Sequence, residues 1–184
     1  MILIERIRDF LWHHATTALQ KTHRRGRGLK LTEVGTLVLY GVYESPDQFR
    51  TFNAFAADLA QKGIKVYRFV YWPSALESTV ATDESKRLFV ITPQDLAFDR
   101  CPKAIFRQRL AESTEQSFHL LLDTSERFHY VDAYMACLLP AQFKVAFVKD
   151  MPLKQSPYDL TLKPADGQDL RGRLDLLLHY LENF

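Results

Sequence analysis

Gly35-Thr-Leu-Val-Leu-Tyr-Gly-Val-Tyr43, followed by Ser45-Pro46-Asp47-Gln48 and then by Ile64 to Tyr71, is the stretch on which the fold turns. Its first part is almost continuously apolar, the pattern of a strand buried on both faces. Four helix-start signals come next: Ser45 as N-cap, Pro46 at the first helical position, Asp47 in the first turn and Gln48 at the third position of a capping box. The helix they open turns Phe49, Phe52, Phe55, Ala56 and Leu59 inward. It closes at Lys62-Gly63, with glycine where a left-handed C-terminal residue is wanted. Ile64 to Tyr71 is rich in β-branched and aromatic residues and reads as a second strand. Strand, helix, strand is a βαβ unit, whose crossover makes the two strands parallel.

The same alternation continues downstream. Arg87 to Thr92 is a short strand, Thr92 to Asp95 a turn, Ala104 to Leu110 a helix and Phe118 to Asp123 a buried strand. Asp123-Thr-Ser-Glu126 can cap a helix whose inner face is Phe128, Val131, Met135 and Leu138 and which Pro140 ends. Phe143 to Val148 and Tyr158 to Leu162 complete the strands, and a helix with Leu170, Leu174, Leu177, Leu178, Leu181 and Phe184 on one face follows. Residues 73 to 86 are polar and aperiodic, as a loop would be. The expected architecture is α/β: a three-layer, open, mostly parallel sheet of five or six strands, with an amphipathic helix ahead of it.

That leading helix spans residues 2 to 20, with Leu3, Ile7, Phe10, Leu11, Ala15, Ala18 and Leu19 on one stripe. Burying such side chains is worth roughly 1.5 to 3 kcal/mol each, so the stripe calls for a cover. Protein cover, by the chain's own body or by a second copy in a homo-oligomer, is preferred over lipid because Glu5 and Asp9 on the helix would be repelled by an acidic membrane. Residues 1 to 30 are thus read as helix plus basic connector, and residues 31 to 184 as one α/β domain.

Composition narrows the function classes. The 184 residues carry a formal net charge of +2, 47% are hydrophobic, and only 7 are glycine. So few glycines leave little material for flexible phosphate-cradling loops. The basicity is local: Lys21, Arg24, Arg25, Arg27 and Lys30 lie in one acid-free segment, outside which 19 basic residues face 22 acidic ones. This segment is a candidate contact for nucleic acid or anionic lipid, but no aromatics interleave with its arginines, and a solvated linker is the preferred reading. Two cysteines, Cys101 and Cys137, are too few for a disulfide framework or a four-cysteine zinc site and suit a reducing compartment. The charged Met1 to Asp9 stretch is unlike a signal peptide, and no long uncharged apolar run occurs, so the expected location is cytoplasmic.

No motif names a reaction. After the first strand only Gly41 answers the dinucleotide fingerprint, and Gly167-x-x-x-x-Gly172 is followed by Arg173-Leu174 where a P-loop needs Lys-Ser or Lys-Thr. The six histidines form no H-E-x-x-H pair, so neither cofactor nor metal is expected. Asp123, Ser125 and His129 name the members of a hydrolase triad but lie too close in sequence, without a nucleophile elbow, and helix capping explains them better. Cys137 reads as a small core residue. Topology supplies the candidate site. In a doubly wound sheet ligands bind outside the carboxyl ends of the strands where chain order reverses. This pairs Tyr43, Glu44 and Ser45 with Asp123, Thr124 and Ser125 as ligand-binding candidates for a polar or anionic metabolite. The preferred reading is a non-catalytic binding or regulatory module; the alternative is a small enzyme or ligand-binding domain using those two loops.

Gln94-Asp95-Leu96-Ala97-Phe98, Leu120-Leu121-Leu122-Asp123-Thr124, Ala141-Gln142-Phe143-Lys144-Val145-Ala146 and His179-Tyr180-Leu181 resemble the motifs of an uncharacterised Bacteroidetes family, a domain of unknown function. Ala146 stands where that family has glycine. The resemblance implies a Rossmann-like α/β fold and a bacterial cytoplasmic setting, and supplies no activity. The strand, helix and Phe-Lys-Val strand also resemble the N-terminal half of heptosyltransferase-type glycosyltransferases, whose chemistry requires a second domain.

Overall fold

A computed structural model describes residues 2–20, 28–73, 87–113, 117–147 and 156–183. Six strands form one sheet: β1 (Thr36–Val42), β2 (Lys65–Tyr71), β3 (Leu88–Ile91), β4 (Phe118–Asp123), β5 (Ala141–Phe147) and β6 (Leu160–Leu162). Every adjacent pair is parallel, in the order β3-β2-β1-β4-β5-β6. The chain works outward from β1 to one edge, returns to place β4 beside β1, and works outward to the other edge. The reversal point between β1 and β4 therefore lies at mid-sheet.

The helices are α1 (Ile2–Gln20), α2 (Pro46–Gln61), α3 (Ala104–Ser113), α4 (Tyr130–Leu138) and α5 (Leu170–Asn183). Strand alternation sorts the core into two slabs. Leu37, Leu39, Leu120 and Leu122 face Phe52, Phe55 and Leu59 of α2 and Leu174, Leu177 and Leu181 of α5. Val38, Tyr40, Phe69 and Leu121 face Phe106 of α3 and Val131 and Met135 of α4. This is the three-layer open α/β fold expected. At α2 the N-cap and the closing glycine act as expected, the Ser45 hydroxyl accepting from the Gln48 amide at 3.3 Å and Gly63 taking a positive φ of 84°, but the capping box is not closed, because the Gln48 side chain accepts the Glu44 amide at 3.2 Å and not that of Ser45.

Two elements depart from expectation. The helix after β4 is not capped by Asp123 or Ser125. It begins at Tyr130, where the Asp132 carboxyl accepts the His129 amide at 3.1 Å, because Asp123 is buried and taken by Tyr158 and the Ser125 amide, and Ser125 is itself buried. The second departure is α1, which docks through Trp12 and Thr16 with only Ala15 and Leu19 of the apolar stripe beside them. Trp12 and Thr16 are fully buried, the Trp12 indole donates to the Tyr130 carbonyl at 2.9 Å, and Trp12 packs edge-on to Phe128 and Tyr130. Leu3, Ile7, Phe10, Leu11 and Ala18 stay exposed. One tryptophan in a pocket of rings, plus ion pairs from Glu5 and Asp9 to Arg100, outweighs a row of aliphatics with no complementary surface on the body. Among the described residues the body therefore covers Ala15 and Leu19 of the stripe and leaves the rest of it exposed.

Of the basic segment, Lys21, Arg24, Arg25 and Arg27 lie outside the described residues, as do 74–86 of the expected loop; Lys30 is exposed. Among the described residues no helix is long and apolar enough to cross a membrane.

Because Trp12 is the main buried anchor of α1, replacing it with alanine removes contacts worth about 3–5 kcal/mol. In Trp12→Ala, hydrogen exchange should show residues 2–20 losing protection while β1 and β4 keep theirs; equal loss throughout would mean that α1 is integral to the sheet domain's folding.

Candidate functional site

Beyond the carboxyl ends of β1 and β4, where a ligand would enter a doubly wound sheet, side chains of this chain fill the opening. Tyr43 follows β1 and folds back over it, so that a Cβ built at Gly41 would lie 2.2 Å from the Tyr43 hydroxyl. Gly41 is needed for this close approach of a ring, not of a pyrophosphate. The Tyr43 hydroxyl then meets Thr124 Oγ1 at 2.6 Å, on the far side of the reversal point. Thr124 spends its own proton on the Tyr40 carbonyl at 2.8 Å, so Tyr43 is the donor. Tyr43 and Thr124 are both buried, and the Thr124 amide also donates to the Tyr40 carbonyl.

Behind this closure lies a buried polar knot. Asp123 and Asp132 are each 1% exposed. Asp123 accepts from the Ser125 amide at 2.9 Å and from the Tyr158 hydroxyl, while Asp132 accepts from the Tyr40 hydroxyl at 2.9 Å and from the His129 amide at 3.1 Å. Each carboxyl thus receives at least one tyrosine hydroxyl and one backbone amide, as buried acceptors require. Burial first, and the neighbouring aspartates second, push the Tyr40 and Tyr158 hydroxyls well above the ordinary tyrosine value. Burial likewise raises Tyr43, against the hydrogen bond to Thr124, which lowers it. Ser125 Oγ is buried with no hydrogen-bond partner among the described residues.

What stays open is a cleft of about 130 Å³, lined by Tyr43, Glu44, Gln48, Thr124, Arg127 and His129 among others. The first turn of α2, an anion site in many such folds, is already occupied by the Ser45 hydroxyl and by the Gln48 side chain, which accepts the Glu44 amide at 3.2 Å. Of the six sequence candidates, Tyr43, Glu44 and Thr124 reach the cleft, Ser45 caps α2, and Asp123 and Ser125 point into the protein. The Asp123, Ser125 and His129 trio forms no relay: Asp123 holds Tyr158, and the His129 ring lies 6.0 Å from that of Tyr71. On the other side of His129 a wider groove of about 600 Å³ runs between α1 and the ends of β2 and β3, past Tyr71, Phe98, Arg100 and Tyr130.

Asp132 and Tyr158 escape a sequence reading aimed at loops. The available signal for Asp132 is that it carries the only charge within the helix Tyr130–Leu138. Lys144 is a second hidden polar group. Buried on the β5 surface, it donates to the Ala136 carbonyl at 2.5 Å and so caps the last turn of α4 from the sheet. Burial lowers its basicity and also drives the neighbouring Cys137 thiol up to about 11; the Cys101 thiol, likewise buried, rises to about 12. Neither thiol is an activated nucleophile at neutral pH. Among the described residues no three His, Cys, Asp or Glu side chains gather as metal ligands.

No protein-family model, curated protein or solved structure matches this chain. The geometry itself is what any functional reading rests on.

Gly41→Ala should cost several kcal/mol, since the added methyl displaces the Tyr43 ring, whereas Gly35→Ala, whose methyl would meet only His119 at 3.6 Å, should be nearly neutral. Urea denaturation of the two variants gives the comparison.

The raised tyrosines set an alkaline limit. An unfolded tyrosine ionises near 10, whereas folded Tyr40, Tyr43 and Tyr158 must keep their protons, so their contribution is complete below about pH 10 and is lost as pH rises beyond it. The denaturation midpoint should therefore fall steeply above pH 10. Tyr158→Phe should shallow that fall while costing about 1–3 kcal/mol at neutral pH, by leaving Asp123 short of a donor.

Proposed function

We propose that this chain is a non-catalytic binding or regulatory module: a Rossmann-like, doubly wound domain whose own Tyr43 occupies the crevice that relatives of this topology use for nucleotides. The observation that carries the reading is the Tyr43 to Thr124 hydrogen bond, made over Gly41 and across the reversal point. A pyrophosphate needs free backbone amides and glycine-lined space there. In this chain the space holds a ring and the helix start holds the side chains of Ser45 and Gln48. The two buried carboxyl groups nearby are satisfied by tyrosine hydroxyls and backbone amides, which suits scaffolding rather than proton transfer to a substrate. The motif resemblance of Gln94 to Phe98 and Ala141 to Ala146 supports a bacterial cytoplasmic setting.

One observation favours the second reading, a ligand-binding domain for a small polar metabolite. The residual cleft brings Arg127 and His129 next to Glu44 and Gln48, a set able to hold a compact anion or zwitterion. Its volume of about 130 Å³ is well below the 300–1,000 Å³ of ordinary ligand pockets.

The two readings separate in a thermal-shift screen against compact anions and zwitterions: inorganic phosphate, small carboxylates and amino acids. A ligand at 100 times its dissociation constant stabilises by about 2.7 kcal/mol, or several degrees at this size. The module reading expects no saturable shift. A saturable shift abolished by both Arg127→Ala and His129→Ala would replace it with the metabolite reading.

A further inference from the structure

The outward side of α1 goes beyond the crevice reading and stands whether or not the crevice takes a ligand. Leu3, Ile4, Ile7, Phe10 and Leu11 are 40–71% exposed on a helix that is nonetheless docked, and Phe98, 57% exposed, extends the patch: its carbonyl accepts from Arg8 at 2.9 Å and its ring lies under the same guanidinium. Large apolar residues grouped this way mark an interaction surface.

From this arrangement we infer that α1 is a docking face for an anionic membrane surface, lying flat with its apolar side in the headgroup boundary while Trp12 holds its other side to the body.

Charge is the first argument. Both acids of α1 are held in ion pairs, Glu5 and Asp9 with Arg100 and Glu5 also with Arg8, although their side chains stay 46% and 42% exposed. Arg6, a cation, is exposed on the same helix, and Arg100 with Arg8 neutralises the two half-exposed acids. The repulsion that Glu5 and Asp9 would bring to an acidic bilayer is thereby cancelled. The sequence that follows α1, Lys21 to Lys30, adds five cations and no acid. Apolar burial combined with basic charge is the pairing that holds an interfacial helix at anionic lipid.

Area is the second argument, and it weighs against a second copy. The apolar row from Leu3 to Leu11 covers about 14 Å of helix. Further along, His14 and Thr17 interrupt it. A self-associating helix seam needs three or four heptads, and a stable dimer buries about 800 Å² on each partner. Two turns and a half of helix fall short of both. A bilayer has no such minimum, since each inserted side chain contributes on its own.

The test is co-sedimentation of the full chain with vesicles of phosphatidylglycerol and phosphatidylcholine, compared with phosphatidylcholine alone. Binding to the anionic vesicles should be the stronger and should weaken as salt rises. The double variant Ile7→Ser, Phe10→Ser should lose at least about tenfold in partitioning, with a melting temperature within about 2 °C of the parent because both positions are exposed. A second variant, Leu3→Ser with Leu11→Ser, should reproduce the loss. The inference is overturned if no vesicle is bound, if the variants bind as the parent does, or if light scattering shows a dimer that the same substitutions dissociate.

Discussion

Two buried carboxyl groups, each needing donors that water cannot supply, tie the middle of this protein together. Asp123 ends β4 and Asp132 sits in the first turn of α4; they draw Tyr158 from the approach to β6, Tyr40 from β1 and the amides of Ser125 and His129. A buried acceptor left without its donor costs on the order of 1–3 kcal/mol. The loop after β4, the start of α4 and the approach to β6 are therefore fixed together, because moving any one of them strips a donor from a carboxyl. The late start of α4 follows: Asp123 and Ser125 cannot cap a helix while they face the interior.

The same knot shapes the place where a doubly wound fold would work. With the Tyr40 carbonyl held beside β4, Thr124 is positioned to donate to it, and its remaining lone pairs are positioned to accept from Tyr43. Tyr43 can reach only because residue 41 has no side chain. A glycine usually read as room for a nucleotide thus makes room for a tyrosine. The crevice is closed by a chain of three hydrogen-bonding groups, all buried, and what is left outside is shallow and polar.

At the other surface, α1 illustrates how docking and amphipathicity separate. The helix has two usable sides. One offers an indole, Thr16 and acids that find Arg100; the other offers aliphatic bulk. Specific pairing with rings and a guanidinium selects the first, and the hydrophobic side, which has no directional requirement, is left for whatever apolar phase or partner meets it.

Much of this architecture was legible in the sequence by itself. Period-two and continuous apolar runs placed all six strands, Ser45-Pro46 and Lys62-Gly63 bounded α2 as their local chemistry requires, and strand-helix alternation implied the parallel three-layer sheet, since these signals act within a few residues of one another. The pairing of the Tyr43 and Asp123 loops also followed from strand order alone. Tertiary structure decided the rest. That Asp132 and Tyr158 are buried partners, that Gly41 serves Tyr43, that Lys144 caps α4 across the sheet and that α1 turns Trp12 rather than Leu3 and Phe10 inward all depend on contacts between residues distant in the chain. Spacing can show that a helix has an apolar side, but which side is buried depends on the surface that meets it, and here that surface was made of Tyr130, Phe128 and Arg100.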